Sequence, residues 1–102
     1  MKRVRTIVKH WNEPIGHYSI QYLTLDSLQK IVGGYIEAVT IAPKVVILCD
    51  EEGRLKGKPY NCTVNGISFV GDIIVVGTKG EEFTQCPIAL EDWKEVFLGV
   101  RE

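Results

Sequence analysis

The sequence predicts an α+β domain, a mainly antiparallel sheet with two helices packed on it, and three observations carry that prediction. The first is the stretch 25–39, where apolar residues at helical spacing run into the pair Gly33-Gly34 and then into β-branched and aromatic residues. The second is a pair of apolar runs, Val45-Val46-Ile47-Leu48-Cys49 and Ile73-Ile74-Val75-Val76, of the kind found in strands covered on both faces. The third is Asn65-Gly66 between Thr63-Val64 and Ile67-Ser68-Phe69, a type I′ hairpin signal because both turn residues tolerate positive φ.

From the N-terminus, residues 2–9 alternate charge with apolar or β-branched side chains. Val4, Thr6 and Val8 would face one side and Arg3, Arg5 and Ile7 the other, which predicts a strand. Its basic residues suit a sheet edge, where charge discourages pairing with another chain. Trp11-Asn12-Glu13-Pro14-Ile15-Gly16 carries turn chemistry. Residues 17–23 alternate again, with Tyr18, Ile20 and Tyr22 opposite His17, Ser19 and Gln21. Over 25–32, Leu25, Leu28, Ile31 and Val32 share one helical face. Thr24 or Asp26 is placed to cap the first turn, and Gly33 to end the helix in a left-handed conformation. Residues 35–41 read as a strand, broken at Ala42-Pro43-Lys44, and residues 45–49 as the central strand. Asp50-Glu51-Glu52-Gly53 is expected to be a tight turn closed by positive φ at Gly53. Residues 54–58 lead out of it in an extended, polar segment toward Pro59. The hairpin at Asn65-Gly66 and the strand 72–76 follow. A turn at Thr78-Lys79-Gly80-Glu81 then leads to a strand over 82–86, stopped by Pro87. Ala89, Trp93, Val96, Phe97 and Val100 recur at helical spacing, predicting a second helix over about 89–98 with Glu91 and Asp92 in its first turn.

A chain of 102 residues is large enough for one core and too small for two, so residues 1–102 form a single domain. With 45% hydrophobic and 25% charged residues the chain is globular, not disordered. A net charge of -1 provides no global field, which demotes both a dedicated nucleic-acid binder and a DNA mimic. The apolar runs fall far short of the roughly 20 residues that cross a bilayer. Polar residues interrupt the basic start before any signal-peptide core, so a cytoplasmic location is expected. Cys49, Cys62 and Cys86 are odd in number and lack paired spacing, as expected of core residues in a reducing compartment. No metal and no cofactor is expected, and the acceptor pattern Asn61-Cys62-Thr63 has no role without secretion.

The candidate contact residues are Arg54, Lys56, Lys58, Tyr60 and Asn61. The three cations alternate along their segment and would project together, which suits a phosphate-bearing ligand. The commoner reading is a solvated edge kept soluble by charge. Asn61 either fixes a turn through its own backbone, the favoured role, or presents its amide to a base or peptide. Asp50, Glu51 and Glu52 are hard-cation donors, but consecutive residues cannot all point inward and a solvated hairpin is expected. Glu37 is expected to face water and not to be a pocket acid of raised pKa. His10 and His17 bracket the Trp11 turn, yet no serine, cysteine or acid stands at a spacing that defines a triad. Gly33-Gly34 follows a helix and precedes no Lys-Ser, so it is a helix stop and not a phosphate loop. Trp11, Tyr18, Tyr22 and Tyr35 could stack bases, but such residues more often pack a sheet against its helices.

Leu28-Gln29, Ile31-Val32-Gly33-Gly34-Tyr35-Ile36-Glu37, the run 50–59 with Asn61, and Asp72-Ile73-Ile74-Val75-Val76-Gly77 together resemble the family known as domain of unknown function 3846. The resemblance spans most of the chain, and the Val-Gly-Gly-Tyr-Ile-Glu block is its most specific part. It implies a setting, phage or mobile DNA in a bacterial cytoplasm, and brings no established activity or catalytic residues. With no convergent acid, base and nucleophile, an enzyme is not expected. The leading expectation is a non-catalytic module that occupies a protein partner. The second is a self-associating protein that sequesters a nucleotide-derived signal, with Arg54, Lys56 and Lys58 on phosphate and Tyr60 stacking. The third is single-stranded nucleic-acid binding.

Overall fold

The two apolar runs become neighbouring strands at the centre of the molecule, and the rest of the chain is arranged to cover both of their faces. A computed structural model describes residues 2–101. In chain order the elements are β1 (Arg3–Lys9), β2 (His17–Tyr22), α1 (Leu25–Val32), β3 (Ile36–Ala42), β4 (Val45–Asp50), β5 (Tyr60–Val64), β6 (Ile67–Val70), β7 (Ile73–Lys79), β8 (Glu82–Thr84) and α2 (Leu90–Asp92). The last runs on into a π-helical turn, Trp93–Phe97. The main sheet has the order β2-β1-β7-β4-β3, with β8 paired to the far end of β7, and β5-β6 form a separate hairpin. Every pairing is antiparallel, which makes this the expected α+β architecture.

Side chains of β4 and β7 alternate between two cores. Val45, Ile47, Cys49, Ile73 and Val75 point to one, roofed by Val64 and Phe69 of the β5-β6 hairpin and by Trp93. Val46, Leu48, Ile74 and Val76 point to the other, covered by Leu28 and Val32 of α1. α1 is delimited as its residues require. Thr24 Oγ1 accepts from the Ser27 N–H at 3.1 Å, and Gly33, at φ 81°, donates to Gln29 O at 2.8 Å. Leu25, expected on the buried face, is exposed in the first turn.

Several expectations are corrected. β1 is not an edge: β2 flanks one side and β7 the other, and the edges are β2 and β3. Its inner half, Thr6–Lys9, is buried, while its arginines lie toward its outer end, beyond the reach of β7. The middle strand is β7, and β4 lies beside it. Gly53 does not close the turn with positive φ. Residues 51–57 instead wind through successive turns, with Lys56 N–H donating to Glu52 O and Lys58 N–H to Gly53 O, each at 3.0 Å, and Gly57, at φ 70°, supplies the left-handed step. Arg54, Lys56 and Lys58 are therefore not arrayed on an extended segment. β8 ends at Thr84, short of the expected 86, because the Cys86 N–H turns to Arg5 O at 2.9 Å.

The C-terminal helix is helical over the expected span but not evenly so. Leu98 N–H reaches back to Trp93 O at 2.9 Å, a wide turn of five residues. That widening packs Trp93 into the core against Phe97, with ring centroids 6.1 Å apart, and rotates Val96 outward to 69% exposure. The Trp93 indole N–H donates to Ile15 O at 2.8 Å, clamping the C-terminal segment onto the β1-β2 loop. The Asn65-Gly66 hairpin is as expected, with φ of 53° and 78°. Among the described residues no helix is long and apolar enough to cross a membrane.

Candidate functional site

Arg54, Lys56, Lys58, Tyr60 and Asn61 do not converge on one surface: Asn61 is buried, and Lys56 and Lys58 are tied to a buried partner. Lys56 and Lys58 place their Nζ atoms 2.8 and 2.7 Å from Asp50 Oδ2, whose side chain is 1% exposed. Lys58 also donates to Val32 O at 2.8 Å and Lys56 to Gly33 O at 3.2 Å, so both cations satisfy carbonyls at the end of α1. Asp50 is therefore no part of a solvated hairpin, although Glu51 and Glu52 beside it are exposed. Burial alone would raise the Asp50 pKa, but hydrogen bonds from Lys56, Lys58 and the Glu52 N–H outweigh it and hold the carboxyl down to about 2. The hydrogen bond to Asp50 in turn raises the Lys56 pKa. A Cβ on Gly34 would stand 2.6 Å from Asp50 Oδ1, so the second glycine of the pair is required by this carboxylate.

Asn61 is buried in β5, where it neither fixes a turn through its own backbone nor presents an amide outward. Its Nδ2 donates to Lys9 O at 2.9 Å and Gly71 O at 2.7 Å, and its Oδ1 accepts from Lys9 Nζ at 2.8 Å. Burial lowers the Lys9 pKa, against the attraction of Cys62 and Glu13. Tyr60 is exposed, with its hydroxyl 2.6 Å from Thr63 Oγ1. Arg54 donates to Ser68 O at 2.6 Å and lines a cleft of about 440 Å³ between β3-β4 and β6, with Glu37, Cys49, Leu55 and Ile67. Glu37 is exposed there, as expected. Burial, with Glu37 and Asp50 nearby, pushes the Cys49 thiol up to about 11, which leaves it unsuited to act as a nucleophile. Cys62 and Cys86 are likewise buried and free.

Of the two edges of the sheet, β3 carries a register shift between Thr40 and Ala42, and β2 is the regular one. Among the described residues β2 pairs only with β1, in the register Ile7↔Tyr18, Arg5↔Ile20 and Arg3↔Tyr22. The carbonyl of Arg5 is turned toward Cys86, away from β2. By the alternation of an antiparallel ladder, the peptide groups of Tyr18, Ile20 and Tyr22 then face outward from the sheet. Their side chains are 40%, 54% and 44% exposed, on the same face as Arg3 and Arg5. The Arg5 guanidinium sits 4.4 Å from the Tyr18 ring centroid, and its Nε has no hydrogen-bond partner among the described residues. The expectation that the aromatics pack the sheet against its helices fails for Trp11, Tyr22 and Tyr35, all of them exposed, whereas the half-exposed Tyr18 ties β2 to the start of α2 by accepting from the Leu90 N–H at 2.7 Å. Nor do they form one platform, because Tyr35 precedes the opposite edge strand, β3.

Another grouping lies in the β1-β2 loop. His17 Nδ1 is 2.8 Å from Glu13 Oε2, and the His10 N–H donates to Glu13 Oε1 at 2.8 Å. His10 Nδ1 is 3.1 Å from Asp72 Oδ2, whose other oxygen accepts from the Trp11 N–H at 3.0 Å. The spacing His-x2-Glu-x3-His is present in the sequence as a signal, although it is neither a cysteine pair nor a nucleophile-base-acid triad.

The family model described as Domain of unknown function (DUF3846) matches residues 4–98. The chain belongs to the DUF3846 family. No curated protein and no solved structure matches it. Several residues that carried the resemblance in this DUF3846 chain, Gly33, Gly34, Lys56 and Lys58, gather at the buried carboxylate of Asp50. In this chain these residues lock α1, β4 and the 51–57 turns together. The chemistry left for contact in the DUF3846 chain lies elsewhere: the β2 edge, the cleft at Arg54 and the histidine loop.

Proposed function

We propose that this DUF3846 chain is a non-catalytic protein-binding module that receives an extended segment of its partner along the open edge of β2. The observation that carries the reading is the unguarded state of that edge. Folded proteins blunt exposed edges with lysine, proline, bulges or a covering segment. β2 reads His-Tyr-Ser-Ile-Gln-Tyr, with none of these residues and a register free of bulges. An added strand gains main-chain hydrogen bonds from the outward peptide groups and side-chain contacts from Tyr18, Ile20 and Tyr22. Arg3 and Arg5 beside them favour a segment carrying acidic residues. On the same reading the partner is a host protein in a bacterial cytoplasm, the phage or mobile-element setting that the family resemblance implies. The contact lies on β2, not on Lys56, Lys58 and Asn61, whose polar groups are committed within the fold.

The test is a pull-down from bacterial lysate with wild-type protein and with Ile20→Pro. Proline is tolerated on an edge strand where its N–H would face solvent, so the variant removes one outward donor while leaving the β1 ladder whole. Wild type should retain one dominant protein, and Ile20→Pro should lose it with little change in melting temperature. Equal capture by both would place the contact away from this edge.

A second reading, a self-associating binder of a nucleotide-derived signal, draws on the Arg54 cleft, whose volume of about 440 Å³ suits a small ligand. A ligand at a hundred times its Kd adds about 2.7 kcal/mol of stability, so a thermal-shift screen against nucleotides checks it. A flat screen removes this reading.

A further inference from the structure

We propose that His10, Glu13 and His17 form a binding site for a divalent transition metal, zinc by its donor set, at the head of the β1-β2 hairpin. Two imidazoles and one carboxylate suit zinc, while magnesium and calcium prefer oxygen ligands throughout. The hairpin brings the three residues together because His10 follows the end of β1, Glu13 stands in the loop and His17 begins β2. One ligand atom from each residue lies within 4.8 Å of the others. A tetrahedral centre with bonds of about 2.0–2.1 Å sets its ligand atoms about 3.3 Å apart, so only a small closure is needed. Both histidine side chains are half-exposed and free to make it.

The surroundings resemble a prepared site. Asp72 engages Nδ1 of His10 and leaves Nε2 for a metal, and the Trp11 N–H holds Asp72 in that role. A carboxylate behind a ligating histidine fixes its tautomer and raises its basicity. Glu13 is already turned toward both histidines, accepting from the His10 N–H at 2.8 Å and lying 2.8 Å from His17 Nδ1. Three protein ligands leave a coordination position open to water or to a partner's side chain. The site is distinct from the β2 edge proposed above, although His17 begins that strand.

Titration of chelator-treated full-length protein with zinc chloride by calorimetry tests the proposal, together with cobalt(II) absorption spectra. The expected result is one zinc per chain with a micromolar or tighter Kd. Cobalt should give visible ligand-field bands without the near-ultraviolet charge transfer of thiolates, since Cys49, Cys62 and Cys86 are buried. His10→Ala and His17→Ala should each weaken binding at least tenfold while the metal-free melting temperature stays within a few degrees of wild type. Asp72→Asn should weaken it by about tenfold or more, as loss of an outer partner does. No heat at millimolar zinc, equal binding by the histidine variants, or a thiolate signature would overturn the assignment, and the cluster would then be a hydrogen-bonded clasp of the loop.

Discussion

Asp50 bears a charge that water barely reaches, and its ionisation is maintained by Lys56, Lys58 and the Glu52 N–H. Its folded pKa lies below the ordinary value of 3.8, at about 2. The stability that it contributes is therefore present above pH 4 and is lost as pH falls through that interval. A shift of this size corresponds to about 2 kcal/mol. Denaturant unfolding measured from pH 7 to pH 2 should show that loss in wild type, and Asp50→Asn should lack that part of the pH dependence. At pH 7 the same variant strands two lysines against the end of α1 and should cost about 3 kcal/mol, the range seen on breaking a buried pair. Gly34→Ala tests the same contact from the other side. Asp50 is pinned by both lysines and cannot retreat from a Cβ, so a loss of more than about 2 kcal/mol is expected in chemical denaturation. The glycine pair was legible as a helix stop because capping is local. The need for the second glycine was not, because its reason lies on β4, a tertiary neighbour that spacing does not reveal. Asn61 departs from its expected turn role for a similar reason: proline two residues earlier suggests a turn, whereas its partners are Lys9 and Gly71.

At the level of elements, alternation disclosed β1 and β2 but not which face of each would be covered. Tyr18, Ile20 and Tyr22 form the apolar face of β2, yet the C-terminal helix touches only the first of them, at the Tyr18 hydroxyl, and leaves Ile20 and Tyr22 uncovered. The C-terminal helix was legible in its span and in Trp93. Its widened turn was not, since the pattern that placed Val96 inward assumes an even 3.6-residue repeat. Direction along β2 is open to a sharp comparison. If the peptide groups of Tyr18, Ile20 and Tyr22 face outward, that of Ser19 faces β1. Ser19→Pro should then break a ladder hydrogen bond and cost about 1–3 kcal/mol. Ile20→Pro, one residue on, should leave the melting temperature within a few degrees of wild type. Thermal unfolding of the pair by circular dichroism decides between this orientation and the reverse, in which the two effects would exchange.

For the whole molecule, strand order is the feature least legible in the sequence. Residue spacing fixes which side chains share a face but not which strands become neighbours, so β1, with its basic residues, reads as an edge although it is interior. The order nonetheless has a thermodynamic consequence. β4 and β7 donate alternate side chains to the core under Trp93 and to the core under α1, so neither core can open without disturbing a strand that supports the other. One cooperative transition is expected, and it can be followed from either side. Trp93 is fully buried in the first core, and replacing the exposed Trp11 by Phe makes it the sole indole reporter. Leu48→Ala removes volume from the second core, on the opposite face of the sheet, and should destabilise by about 2–5 kcal/mol. In the Trp11→Phe background, Leu48→Ala should shift the Trp93 fluorescence midpoint and the far-ultraviolet circular dichroism midpoint together and by the same amount. A shift confined to circular dichroism, with the Trp93 midpoint unmoved, would mean that the two layers unfold separately and that the alternating strands do not couple them.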